Sequence, residues 1–121
     1  MNTVLENLQK ARDLIAKPEH WVVGTRHCDR AKRNGSYAHC ALGAIEAAMG
    51  AEHLWGADNC CAEVVALSAS IPNKEVVKDV SPDSHDARVA AFNNRTNHAT
   101  VLAWFDRAIA IQKEHPTEKV G

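Results

Sequence analysis

The stretch that decides the fold is His39-Cys40-Ala41-Leu42-Gly43-Ala44-Ile45-Glu46-Ala47-Ala48-Met49-Gly50. From Cys40 to Met49 the one charged residue is Glu46, and Gly50 closes the run. A helix that is apolar all round is buried on most of its sides. A helix over 39–49 is therefore expected at the centre of the domain. Gly43 would cost about 1 kcal/mol of helix propensity there, while letting a neighbouring backbone come close. The composition agrees: 121 residues hold 20 alanines and only six aromatics, the small side chains that suit close helix contact. This length is one domain's worth.

Moving outward, residues 3–16 read as a helix. Thr3 and Glu6 form a capping-box pair, and Val4, Leu8, Ala11 and Ile15 recur at helical spacing. Lys17-Pro18 ends it, because the residue before proline is pushed out of the helical region. Residues 58–70 form another largely buried helix, capped by Asp58 or Asn59 and broken at Ile71-Pro72-Asn73. The polar stretch 74–84 suits a helical turn or loop. A brief helix over 86–92 and a loop over 93–97 lead to a last helix over 98–115, capped by Asn97 or Thr96 and stopped by Pro116. The expected fold is a compact all-α single domain of about five helices. One long irregular segment, 19–37, is expected over its surface, and residues 117–121 form a mobile tail.

The charges are unevenly laid out. Net charge is −1, yet Arg26, Arg30, Lys32 and Arg33 cluster with a single acid, Asp29. Residues 34–73 then contain no Lys or Arg. A local basic cluster can meet phosphate or an acidic partner surface, although a nucleic-acid module usually shows a basic face across the whole domain. A solvated loop is the plainer account. No apolar run approaches the roughly 18–20 residues of a membrane span, so no membrane association is expected. The first residues lack the basic region and apolar core of a signal peptide, which makes a cytoplasmic, reducing location the expectation for Cys28, Cys40, Cys60 and Cys61.

Three constellations carry chemistry. His27-Cys28 and His39-Cys40 repeat one dipeptide and offer the nitrogen and sulfur ligands zinc takes. Their spacing lacks the close pairs of structural zinc sites, so no metal and no cofactor is expected. Cys40 stands near a helix N-terminus, where the dipole favours a thiolate, and His98 and Asn94 would complete a nucleophile–base–orienter set. Packing is the commoner use of such a cysteine. Third, Trp21 and Trp55 lie outside the helices, each near a glycine, and an exposed indole can anchor a partner. A lid over the core is the plainer account for both. Asn93 and Asn94, by the same reasoning, bond loop backbone and cap the following helix.

Trp21-Val22-Val23-Gly24, Cys40-Ala41-Leu42-Gly43-Ala44-Ile45, Phe92-Asn93-Asn94 and Asp106-Arg107-Ala108-Ile109 resemble a small all-helical domain family of unknown function. That family is found in bacteria, notably actinobacteria, and in their phages, and the resemblance spans most of residues 3–112. It carries a Cys-Ala-Leu-Gly-Ala box and a Phe-Asn motif usually followed by aspartate. Here Asn94 stands in the place of that aspartate, so any acid, base or metal-ligand role it served would be missing. The resemblance implies no activity.

These readings lead to a small cytosolic accessory protein of bacterial or phage origin. A non-enzymatic module that binds a protein partner through Trp21, Trp55 and the 26–33 loop is the first expectation. A cysteine-dependent hydrolase or transferase using Cys40, His98 and Asn94 is the alternative, followed by a weak nucleic-acid binder through Arg26, Arg30, Lys32 and Arg33.

Overall fold

The computed structural model describes residues 3–24, 38–50 and 61–116, with residues 27–28 as backbone. Five helices dominate the described residues: α1 (Val4–Leu14), α2 (Ala41–Met49), α3 (Ala62–Ala69), α4 (His85–Arg95) and α5 (His98–Glu114). Short 3-10 turns occupy Pro18–His20 and Lys74–Val77. The fold is all-α, as its helical spacing predicts. Among the described residues no helix is long and apolar enough to cross a membrane.

The caps explain where several helices begin. Thr3 and Glu6 make the full capping box, each side chain bonding the other residue's amide, at 3.1 and 3.2 Å. Asn97 accepts from the Thr100 amide at 2.8 Å and starts α5. Two expected starts move. α2 begins at Ala41 with Cys40 as its cap, so His39 is a strand residue and not a helix-terminal one. α3 begins at Ala62 with Cys61 as its cap, and the expected caps Asp58 and Asn59 lie outside the described residues.

α2 packs on α1, α4 and α3, while α1 also lies along α5 and α3 along α4. Ala41, Leu42, Ala44, Ile45 and Ala48 are buried, and Glu46 and Ala47 are half-buried. The central helix is thus sunk on one broad face. Its C-terminal Gly50 has φ of 75°, a left-handed conformation that favours glycine. The other pole of the core is aromatic. Phe92 meets Trp104 edge to face at 4.8 Å, and Trp104 also donates its indole N–H to the Leu67 carbonyl at 2.8 Å. That bond fastens α5 to α3 inside the core, where an unpaired indole N–H would be costly.

The segment expected to be irregular carries some ordered pairing. β1 (His27–Cys28) and β2 (Ala38–His39) pair antiparallel, with His27 opposite His39 and Cys28 opposite Ala38. Trp21 bridges His39 in parallel, and the Val22 amide donates to the His39 carbonyl at 3.1 Å. A chain length from Trp21 to Gly24 is thereby laid against the start of α2.

The largest departure concerns α4. It runs to Arg95, so Asn93 and Asn94 lie in its last turns and not in a loop. At its end Arg95 holds Asp79 at 2.6 Å and the Val76 carbonyl at 2.8 Å, tying down the preceding 3-10 turn. The guanidinium's hydrogen bond pulls the Asp79 carboxyl below its ordinary range.

Candidate functional site

Asn93 organises the region where the sequence motifs meet. The residue is fully buried. Its carboxamide oxygen accepts the Trp21 indole N–H at 2.7 Å and the Ala41 amide at 3.1 Å. Its Nδ2 donates to the Val22 carbonyl and to Asn94 Oδ1, both at 3.1 Å. Two donors and two acceptors are thus satisfied in one side chain. The Ala41 bond also occupies one of the free amides at the start of α2, so Asn93 caps a helix, but from across the fold. Cys40 caps the same helix locally, its Sγ accepting from the Gly43 amide at 3.4 Å.

Asn94 continues the link. Its Oδ1 accepts the Gly24 amide at 2.8 Å. Gly24 has φ of 80°, a backbone conformation that L side chains rarely adopt. Gly24, Cys40, Leu42, Asp86, Ala87, Ala90 and Asn94 line an open pocket of about 290 Å³. Its described walls are therefore Gly24, the first turn of α2 with its cap, and one side of α4. Leu42, Ala87 and Ala90 supply apolar surface, and Asp86 is the charged residue among its described walls. One Asp86 oxygen accepts from the next residue's amide, Ala87, at 2.8 Å.

The residues weighed for thiol chemistry are divided by this geometry. Cys40 and Asn94 share the pocket. His98 is not among its described walls: its Nε2 faces the Ile15 carbonyl at 2.7 Å, and its ring centroid lies 5.7 Å from that of Trp21. Because a carbonyl oxygen only accepts, that bond places a proton on Nε2. Trp21 is half-buried, held by Asn93 on its polar edge and by His98 on its ring. The other proposed contact residues, Arg26, Arg30, Lys32, Arg33 and Trp55, lie outside the described residues, as do Cys60 and the tail. Of the metal candidates, His39 and Cys40 are buried, and His27 and Cys28 are placed as backbone only. No group of three or more His, Cys, Asp or Glu that could hold a metal ion occurs among the described residues.

Asp86 is the site residue that sequence reasoning misses. It reads there as an acidic first-turn residue of a helix, which needs no further role. A second missed group is internal. Asn7, in the buried stripe of α1, donates to the buried Glu63 carboxyl of α3 at 2.6 Å. The Cys61 thiol lies 3.4 Å from Glu63 and 3.6 Å from the Met49 sulfur, and burial pushes its pKa up to about 11. That thiol is held protonated at neutral pH, the opposite of an activated nucleophile.

The model of a family of unknown function (DUF6197) matches residues 1–111, and the chain belongs to that family. No curated protein and no solved structure matches it.

Proposed function

We propose that this member of a family of unknown function is a non-enzymatic binding module that takes a protein partner at the pocket beside Gly24, Cys40 and α4. The observation that carries this reading is how the polar groups around the pocket are spent. Cys40 Sγ caps α2, Asn94 Oδ1 holds Gly24, and His98 Nε2 is bonded to Ile15 away from the pocket. Each has a scaffold task, while the pocket that Cys40 and Asn94 help to line stays open. Among the described residues the pocket is a concave surface with one charged side chain and apolar walls, the kind of surface that recognises a side chain.

The thiol reading through Cys40, His98 and Asn94 has less support, because the base candidate is engaged elsewhere. The nucleic-acid reading rests on Arg26, Arg30, Lys32 and Arg33, outside the described residues.

The test uses Ala87→Trp, a substitution at an exposed helix position that fills the pocket. A specific host protein retained by the wild-type chain and released by Ala87→Trp, at unchanged melting temperature, supports the reading. Identical retention by both chains overturns it. Iodoacetamide supplies the second arm: rapid alkylation of Cys40 in the folded chain, together with ester turnover, would replace binding by thiol chemistry.

A further inference from the structure

We infer that the pocket takes a lysine side chain of the partner, with its ammonium on Asp86; this rests on the binding reading above. Asp86 is half-buried at the pocket wall, and among the described residues it has no cationic partner. Its one hydrogen bond there is with the Ala87 amide of its own turn. Asp86 stands in the first turn of α4, where an acidic side chain complements the helix dipole but gains no counter-ion. A carboxylate held against apolar surface attracts a cation more strongly than one in open water.

The remaining walls select the stem that carries the cation. Leu42, Ala87 and Ala90 offer the apolar contact that a four-carbon lysine stem covers while its head stays polar. A volume of about 290 Å³ is at the small end for ligand pockets and suits one side chain. Arginine fits less well. Its planar fork would have to share Oδ1 of Asp86 with the Ala87 amide, whereas a lysine ammonium needs only one carboxylate oxygen. Asn94 adds a neutral donor: its Nδ2 makes no hydrogen bond among the described residues, and a peptide carbonyl next to the lysine can take it.

Amide NMR titration of the full chain tests this with N-acetyl-lysine methylamide as the probe. N-acetyl-norleucine methylamide, which keeps the stem and lacks the charge, and the arginine analogue are the controls. A probe of this size is expected to bind at about millimolar strength. Saturable shifts are expected at Gly24, Ala87, Ala90 and Asn94 with the lysine probe. Norleucine should bind about two- to fivefold more weakly, the scale of a part-exposed ion pair. Asp86→Asn should bring lysine down to the norleucine level and leave norleucine unchanged. Raised salt should weaken the lysine probe alone. Equal binding of lysine and norleucine, an unaffected Asp86→Asn variant, or shifts scattered outside the pocket would each overturn the inference. If that happens while Ala87→Trp still releases a partner, the binding reading stands and the lysine assignment falls.

Discussion

The Asn93 carboxamide oxygen accepts the Trp21 indole N–H at 2.7 Å, across 72 positions of sequence. The same oxygen takes the Ala41 amide. One side chain therefore fixes an aromatic residue of an extended segment and the start of the central helix at the same point. The pocket wall formed by Gly24 and Cys40 is set by this pair of bonds, so scaffold and candidate site are coupled there.

Removing that side chain should be costly. Asn93→Ala leaves the Trp21 N–H, the Ala41 amide and the Val22 carbonyl without their partner. A destabilisation of about 2–4 kcal/mol is expected, since buried polar groups left unpaired lose their full desolvation cost. Asn93→Asp keeps the acceptor but sets a buried carboxylate oxygen against the Val22 carbonyl and Asn94 Oδ1, and should cost at least as much as alanine. Urea unfolding measures both; a loss under about 1 kcal/mol for alanine would show that water replaces the network.

Trp104 is the corresponding anchor of the core. It is fully buried against Phe92 and donates to Leu67. Trp104→Phe keeps an aromatic ring, loses that bond and leaves a small void. The expected cost is about 2–3 kcal/mol, read from the denaturant midpoint.

The helix caps should behave as local, additive features. Asn97→Ala removes the acceptor for the Thr100 amide, and Thr3→Ala opens the capping box of α1. Each should cost about 1 kcal/mol, and the double variant about the sum. A much larger double effect would mean that the two helix starts cooperate.

These caps also show what is legible in sequence. Thr3, Glu6 and Asn97 act within three or four positions of themselves, so spacing reveals them. The apolar run 41–48 likewise declares its burial. Asn93 and Asn94 mislead because asparagine prefers turns when its amide must find partners nearby. Here the partners come from Trp21, Val22, Gly24 and Ala41, and they let the helix run through both residues. Asp86 is invisible for a related reason. Its significance depends on a pocket assembled from three separated segments, and no local pattern encodes that assembly.

Cys61 gives a pH dependence whose sign can be worked out. Its pKa rises from the ordinary thiol value of 9.0 to about 11, chiefly because burial disfavours the thiolate, with Glu63 adding repulsion. A raised pKa means the folded state holds the proton more tightly than the unfolded chain. The contribution is therefore fully present below about pH 9 and is lost as pH rises through about 11. A shift of this size corresponds to about 2–3 kcal/mol. Cys61→Ala removes the ionising group, so its stability should decline less steeply over that alkaline window than that of the wild type. The thiol proton has two acceptors in reach, Glu63 and the Met49 sulfur. Cys61→Ser keeps a proton donor of similar shape and does not ionise in this range, so it should follow the flatter curve of Cys61→Ala. Urea unfolding at a series of pH values checks this; parallel curves for wild type and both variants would place the alkaline transition on other groups.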